Sequence, residues 1–200
     1  MISPLPAVAH RPSELCEIEG QDDAISDLLD SMKQKRLNPV LLFSGSSGSG
    51  KTSGALALAK AVQCEQYNFV ERRCCNACEG CQQKVPMYLR HFDCAATPVS
   101  QGTLNLLITK SQMSPSFCKV CITLFEEVHA WSLGDQRKLL VPLERRFAAN
   151  QLMIFTTTDP NRLIPPLRSR MLEFRFKPLQ AVETLSVLRR VATQMQLDLD

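Results

Sequence analysis

The sequence predicts an α/β fold built around a parallel sheet, and two observations lead to this prediction. Short runs that are almost wholly apolar occupy residues 40–43, 120–125 and 152–155, as is typical of parallel strands buried on both faces. Helical segments separate these runs, and such an alternation of strands and helices is typical of α/β sheets. We therefore expect a sheet with helices on both of its faces.

The first elements are predicted as follows. Residues 1–19 are rich in proline and should be extended. An amphipathic helix is predicted over residues 22–36, because apolar residues fall there at helical spacing: Ile25, Leu28, Leu29 and Met32. Acidic residues in its first turn and basic residues in its last complement the helix dipole. Asn38 followed by Pro39 is expected to end it.

The remaining elements complete a five-stranded sheet. A helix is predicted at 52–64, a weak strand at 92–96, a helix at 104–110 and a last, alternating strand at 172–176. We assign residues 1–177 to this first domain. From Leu179 onward, apolar residues recur at helical spacing with no partner left in the chain. Residues 178–200 are therefore interpreted as the start of a second, truncated domain.

Composition restricts the setting and the class of protein. The formal net charge of +3 neither demands nor excludes a nucleic-acid partner. No run approaches the roughly 20 apolar residues that a membrane span needs, and the proline-containing start does not resemble a secretory signal. The nine cysteines are odd in number, and about half of them are clustered within residues 64–81. This pattern favours a reducing, cytoplasmic compartment and a local metal site over a disulfide framework.

A complete phosphate-loop motif follows the first strand. Residues 45–52 read GSSGSGKT, with a strand before them and a helix after them, which is the context that the motif requires. The glycines allow successive backbone N–H groups to turn inward and form an anion-binding nest, and the helix N-terminus adds positive charge. Lys51 would contact the β- and γ-phosphates, and Thr52 would offer its hydroxyl to Mg²⁺.

A pair of acids follows the strand at 120–125. Glu126 and Glu127 would lie beside the phosphate loop, because parallel strands bring their carboxyl ends to one crevice. Glu126 would support the magnesium water shell, and Glu127 would orient the attacking water. A lone histidine after such a strand is usually structural, so His129 is assigned no chemistry.

The clustered cysteines predict a metal site. Cys75, Cys78 and Cys81 are spaced three residues apart, and Cys64 ends the preceding helix. Four thiolates suit a tetrahedral structural zinc ion, although an iron–sulfur cluster also takes four. Cys74 could replace Cys75, with a less regular spacing. The other cysteines are expected to be ordinary small apolar residues: Cys16, Cys94, Cys118 and Cys121.

These motifs, in this order, resemble the AAA+ ATPases of bacterial replicative clamp loaders, and the gamma/tau type of DNA polymerase III most of all. Five segments carry the resemblance: Arg11-Pro12 followed by Gly20-Gln21, then LLFSGSSGSGKTS, LFEEVH, FTTTDP and SRM. A cysteine cluster just after the phosphate-loop helix is the most diagnostic. The resemblance implies an AAA+ P-loop NTPase fold, a zinc-binding insert at about 64–81 and a helical lid, here truncated. It also favours zinc over iron–sulfur.

The resemblance also implies roles for particular residues. Thr158, or alternatively Thr157, would be the first sensor, between the acids and the γ-phosphate. Arg170 would be an arginine finger that reaches the ATP of a neighbouring subunit, and with Lys51 and Glu127 these form the expected catalytic set. The expected nucleotide contacts are Arg11, Pro12, Gly45, Ser46, Ser47, Gly48, Ser49, Gly50, Lys51, Thr52 and Ser53. Magnesium would bind at Thr52 and Glu126, and structural zinc at Cys64, Cys75, Cys78 and Cys81.

The sequence departs from the family pattern at two residues, and its lid is short. Glu126 stands where the family has Asp, and Met171 where it has Cys. The resemblance implies an ATP-driven motor subunit that works with other loader subunits, a sliding clamp and primed DNA. A weakly hydrolysing assembly module is an alternative, favoured by Glu126 and the short lid. An AAA+ regulator of conjugation, transposition or phage replication is a third hypothesis.

Overall fold

A five-stranded, wholly parallel sheet forms the centre of the molecule. The computed structural model describes residues 10–82, 89–96, 102, 119–144 and 150–197. The strands are β1 Val40–Gly45, β2 Leu89–Asp93, β3 Cys121–Glu126, β4 Gln151–Thr157 and β5 Leu172–Phe176. Their order across the sheet is β2-β3-β4-β1-β5. The predicted α/β fold class is therefore confirmed.

Helices and single 3-10 turns connect these strands. The α-helices are α1 Asp22–Lys33, α2 Lys51–Gln63, α3 Glu79–Gln82, α4 Leu133–Lys138, α5 Leu140–Glu144, α6 Pro165–Arg168 and α7 Ala181–Gln194. The 3-10 turns are Leu15–Glu17, Val128–Ala130 and Pro160–Arg162. Among the described residues, no helix is long and apolar enough to cross a membrane.

The sheet separates two hydrophobic cores. On one face, α1 and α2 pack their apolar sides against β1 and β5, with Leu28, Leu58 and Phe43 almost fully buried. On the other face, Phe125 stacks on Phe155 with ring centroids 4.7 Å apart. Because apolar burial stabilises by about 25 cal/mol per Å², these two layers fix the sheet that carries the loops at its carboxyl end.

Helix α1 ends earlier than the sequence predicts. It stops at Lys33 instead of residue 36. The N–H of Lys35 donates to the carbonyl of Met32, and that of Arg36 donates to the carbonyl of Ser31. Lys35 has φ of 54°, so this is a helix end of the Schellman type, formed by a residue other than glycine. The Asn38-Pro39 pair therefore lies beyond the true end of the helix.

Strand β2 also differs from its prediction. It covers Leu89–Asp93 instead of 92–96. Within the described residues, it lies at the edge of the sheet and pairs with β3 alone, so polar residues such as Arg90 and His91 are tolerated in it. The carboxylate of Asp93 then accepts from the N–H groups of Ala95 and Ala96, which turns the chain away. The helix predicted at 104–110, and Cys118, lie outside the described residues.

The C-terminal helix α7 follows the sheet domain, and its outer side is apolar and exposed. Val182 is 78% exposed and Leu185 is 47% exposed. The other side contacts the N-terminal segment, where Arg190 donates to the carbonyl of Glu17 at 2.7 Å. The domain boundary at 177 and the interpretation of 178–200 as a lid remain predictions.

Candidate nucleotide site and metal site

The phosphate loop leaves the end of β1 through glycines that other residues could not replace. Gly45 has φ of 154°, and a Cβ there would lie 2.2 Å from the carbonyl oxygen of Phe176. Gly50 has φ of 91° and caps α2. Helix α2 begins at Lys51, so its first N–H groups, which have no intrahelical acceptors, point into the loop. This loop and the helix dipole together form a cradle for an anion.

Two side chains of the loop indicate what the cradle would hold. Lys51 is only 5% exposed, and its Nζ donates to the carbonyl of Ser46 at 2.7 Å. Burial lowers the pKa of Lys51, and the nearby charges of Glu127 and Glu126 only partly offset this. The hydroxyl of Ser49 is buried and has no hydrogen-bond partner in the described part of the chain. A buried cation and an unpaired donor both fit a bound phosphate group.

The first acid, Glu126, lies at the end of β3 and is held by its neighbours. Its Oε2 is 2.7 Å from Nε2 of His91, on the edge strand β2. Burial alone would raise the pKa of Glu126, but hydrogen bonds from His91 and Thr52 lower it below its ordinary value. The same hydrogen bond raises the pKa of His91. The structure thus brings the two predicted magnesium ligands, Thr52 and Glu126, together.

The second acid, Glu127, adopts a left-handed backbone with φ of 52°. Its N–H donates to Oγ1 of Thr156 at 3.3 Å, and its Oε2 accepts from Oγ1 of Thr158 at 3.2 Å. Left-handed backbone is uncommon for a residue other than glycine and is often found at functional sites. Of the two candidate sensors, Thr158 is the one that contacts Glu127 directly.

His129, to which the sequence analysis assigned no chemistry, links these groups. Its Nδ1 lies 3.1 Å from Oγ1 of Thr157 and 3.2 Å from Oε2 of Glu127. Its Nε2 lies 3.4 Å from Oγ1 of Thr158. The ring therefore contacts both candidate sensor threonines and the candidate catalytic acid. Only the tertiary structure brings β3 and β4 together in this way, so spacing along the chain could not reveal it.

A cleft of about 580 Å³ opens above the phosphate loop. Arg11 and Pro12 line it on one side and Glu127 on another, as the resemblance implies. Residues of α7 that were not predicted line it too, including Arg190 and Val191. The sequence predicted the helix from the spacing of its apolar residues, Val191 among them, but it did not predict that the helix lines this cleft. Of the predicted nucleotide contacts, Arg11, Pro12 and residues 47–53 thus line one concave site, whereas Gly45 and Ser46 are not part of its lining.

Arg170 lies elsewhere. Its guanidinium is ion-paired with Glu144 and donates to the carbonyl of Pro166 at 2.5 Å. It borders a second, larger groove of about 1080 Å³ at the amino end of the sheet, together with Val40 and Gln151. It does not line the cleft above its own phosphate loop.

The cysteine cluster has the geometry of a metal site. The sulfurs of Cys64, Cys75, Cys78 and Cys81 all lie within 4.8 Å of one another. Separations such as 3.7 Å from Cys64 to Cys75 and 3.9 Å from Cys75 to Cys81 compare with about 3.8 Å for sulfurs placed tetrahedrally at a Zn–S distance of about 2.3 Å. The donor set and its spacing therefore fit structural zinc.

Cys74 belongs to a different environment from Cys75. Burial raises the pKa of the Cys74 thiol. By contrast, backbone N–H groups of Ala77 and Cys78 lower the pKa of Cys75 to about 6, which favours the thiolate form that binds metals. Cys74 lies outside the group of four. These observations favour Cys75 as the ligand.

Comparison with known proteins places the chain in a family. A family model described as DNA polymerase III, delta subunit, matches residues 20–180. The chain belongs to this family. Among curated relatives of this DNA polymerase III family member, the tau/gamma subunit of Haemophilus influenzae DNA polymerase III is 32% identical over 187 residues. The tau subunit of Bacillus subtilis is 29% identical over 192 residues. The predicted resemblance is therefore confirmed.

The extent of these matches is unequal. The alignments cover 92% and 95% of this chain but only 27% and 34% of the two relatives, so the chain spans about a third or less of their length. A solved structure of the Thermotoga maritima RuvB Holliday junction branch migration motor superimposes with a TM-score of 0.66 at 19% identity. It covers 95% of this chain and 56% of RuvB. That likeness supports the fold alone.

Proposed function

We propose that this chain is the ATP-binding and ATP-hydrolysing domain of a motor subunit in a DNA sliding-clamp loader. One juxtaposition carries the proposal. Lys51 of the phosphate loop lies within electrostatic range of Glu126 and Glu127, and Thr158 contacts Glu127. A cation for phosphates, two acids and a polar sensor at one edge of a sheet are the parts that phosphoryl transfer to water requires.

Each residue of the site has a role that its position supports. The loop N–H groups and Lys51 would hold the phosphates, and Lys51 would exchange its present acceptor, the carbonyl of Ser46, for phosphate oxygens. Thr52 and Glu126 would hold Mg²⁺, which supplies Lewis-acid polarisation of the phosphate oxygens. Glu127 would accept a proton from the attacking water, and Thr158 would fix the direction of the Glu127 carboxylate.

Partners follow from the same proposal. Other loader subunits, a sliding clamp and primed DNA would assemble around this domain, and Arg170 would act on the ATP of an adjacent subunit. Its position at the amino end of the sheet, away from its own cleft, supports that role. Zinc held by Cys64, Cys75, Cys78 and Cys81 would stabilise the insert, and the tetrahedral spacing of the sulfurs supports it.

Turnover by the assembled protein tests the proposal. ATP hydrolysis should rise when both a sliding clamp and primed DNA are added, and Glu127→Gln should lower it by about 10²-fold or more while ATP still binds. Gln preserves the size of the side chain but cannot accept the proton from water. Turnover that ignores clamp and DNA would contradict the loader function, and parental turnover in Glu127→Gln would remove Glu127 from its role.

A slowly hydrolysing, nucleotide-dependent assembly module is a second candidate. The contacts of Glu126 favour it, because this longer acid is already engaged by His91 and Thr52. Such a module would bind ATP, and its association with partners would depend on the nucleotide. Its turnover would remain low even with clamp and DNA present.

A further inference from the structure

We propose that Glu14 is a positioning residue that connects the cysteine cluster to the nucleotide cleft, so that metal in the cluster strengthens nucleotide binding. The inference rests on the proposed nucleotide site and metal site, and it assigns them a link that neither requires.

Glu14 is a buried carboxylate with partners from two different parts of the chain. The residue is 7% exposed, and acidic residues are rarely buried unless they are paired. One oxygen forms an ion pair with Nζ of Lys60. The other accepts from the backbone N–H of Cys74 at 3.0 Å. Glu14 thus joins the N-terminal segment to the phosphate-loop helix α2 and to the cysteine insert.

Lys60 makes a second connection to the insert. Its Nζ also donates to Oδ1 of Asn76 at 2.9 Å, and Asn76 lies between the ligands Cys75 and Cys78 in a left-handed backbone with φ of 53°. Burial lowers the pKa of Lys60, but the hydrogen bond and charge of Glu14 outweigh this and raise it. The ion pair of Glu14 and Lys60 is thus hydrogen-bonded to the two residues on either side of the ligand Cys75, namely Cys74 and Asn76.

The segment that carries Glu14 lines the cleft on both sides of it. Ser13 and Glu14 donate their N–H groups to Oε2 of Glu17 at 2.7 and 3.2 Å, which closes a compact turn. Pro12, just before this turn, and Ile18, just after it, both line the nucleotide cleft. Ile18 also approaches the phosphate loop, since a Cβ on Gly50 would lie 3.7 Å from its Cγ2.

The position of the turn thus depends on the position of the insert. With metal bound, four ligands fix the backbone around Cys74 and Asn76, and Glu14 keeps both of its partners. Without metal, the insert loses the bonds that hold its ligands together, and the N–H of Cys74 is no longer held against Glu14. The turn then moves more freely, and nucleotide must order it on binding, which weakens affinity.

Nucleotide affinity with and without zinc tests the link. ADP binding should be measured by calorimetry at fixed Mg²⁺ on the zinc-loaded chain, and again after a zinc-selective chelator has removed Zn²⁺. We expect affinity to fall about tenfold on removal, within the usual range of coupling between sites. In Glu14→Gln, affinity should already be lowered in the zinc-loaded form and should change less than twofold on removal. Glu71→Gln, an exposed acid of the insert, is the matched control and should behave like the parent.

Hydrogen exchange of the parent chain gives a measurement that does not depend on the variant. Zinc removal should speed exchange of the N–H groups of residues 13–18, as well as those of the insert. Equal ADP affinity with and without zinc would overturn the inference, as would unchanged exchange at 13–18. A full tenfold zinc effect in Glu14→Gln would do so too. A zinc-loaded parent that binds no ADP would instead contradict the proposed nucleotide site.

Discussion

A cavity opens at each end of the sheet, and the two cavities differ in size and in chemistry. The smaller of them carries the candidate site. The cleft at the carboxyl end has about 580 Å³, whereas the groove at the amino end has about 1080 Å³. The small cleft holds a buried lysine, a glycine-rich loop and an acid in strained backbone. The large groove has a mixed lining of apolar side chains, cations such as Lys33 and Lys35, and the acids Glu65 and Glu144.

This difference has a structural origin. In a parallel sheet, the loops that follow the strands all lie at the carboxyl end of the sheet, so residues from separate strands converge there. Glu126 ends β3, Thr157 ends β4 and Gly45 ends β1. At the opposite end, the groove contains Arg170, and the carboxylate of Glu144 is engaged in an ion pair with it. Volume alone therefore does not identify a reactive site, whereas converging polar groups do.

Among substitutions that distinguish the two ends of the sheet, we expect the largest effect from a change at Arg170. If it acts on a neighbour, Arg170→Ala should leave nucleotide affinity of its own cleft unchanged, because it lies at the other end of the sheet. In an assembly, the same change should lower hydrolysis in the adjacent subunit on the order of 10³-fold, as arginine fingers do. Mixed assemblies, in which only one subunit carries a functional phosphate loop, measure each site separately.

Damage in the variant's own site would show that Arg170 acts locally. Glu144→Gln is an informative companion, since it removes the ion-pair partner of Arg170 without removing the guanidinium. Hydrolysis in the neighbour should be retained or improved in that variant, because the pair holds Arg170 in its own subunit.

The next largest effect is expected from Lys51→Ala, and a lysine at the other end of the sheet provides a direct comparison. Lys51→Ala removes charge-assisted hydrogen bonds to phosphates, each contributing about 1.5–3 kcal/mol, so ATP affinity should fall by about 10²-fold or more. Calorimetry measures the loss. Lys35→Ala is the matched control, because Lys35 is a lysine that lines the amino-end groove.

If Lys35→Ala weakened ATP binding as much as Lys51→Ala, the assignment of the cleft would be wrong. Circular dichroism on both variants separates a binding defect from unfolding. Lys51 donates a hydrogen bond to the carbonyl of Ser46 within the loop, so its substitution should leave the sheet intact.

The sequence predicted the strands and the long helices, but it predicted neither the short helices α3 to α6 nor the contacts between the elements. A strand was predicted for each of the five, and β1, β3 and β4 are apolar enough to be distinct in the sequence. Strand β2 was displaced because it is an edge strand with exposed polar residues. Helix α1 ended early because its cap uses Lys35 instead of glycine, and no local pattern predicts a left-handed lysine.

Motifs in the sequence predicted residues of the candidate site, but not the contacts that hold these residues in place. His91, His129 and Arg190 each contact a residue far away in the sequence: Glu126, Thr158 and Glu17. Glu14 is similar, since its partners are Lys60 and Cys74. Such contacts depend on strand order and helix packing, which spacing along the chain does not specify. Supporting residues are therefore harder to predict than motif residues.

The smallest effect is expected at Glu173, where the scaffold beside the cleft can be tested without touching the site. Glu173 lies on β5 and is largely buried. Its Oε1 accepts from Oγ of Ser44 at 2.6 Å, one residue before the phosphate loop, and its Oε2 accepts two hydrogen bonds from Arg168. Burial alone would raise the pKa of Glu173, but these bonds lower it below 4.5.

Glu173→Gln should lower the free energy of unfolding by about 1–2 kcal/mol at pH 7, because it removes the charge-assisted hydrogen bonds from Arg168. The loss should be no larger, since Arg168 is partly exposed and water screens its charge. A lowered pKa contributes stability that is present above the unfolded value of about 4.5 and is lost as pH falls through the folded value. The gap between parent and variant in urea unfolding should therefore be full at pH 6 and should close at pH values well below 4.5. ATP affinity should change less than twofold, because no atom of Glu173 lines the cleft. A gap that persists at low pH would show that side-chain packing, rather than the charge of Glu173, stabilises this side of the loop.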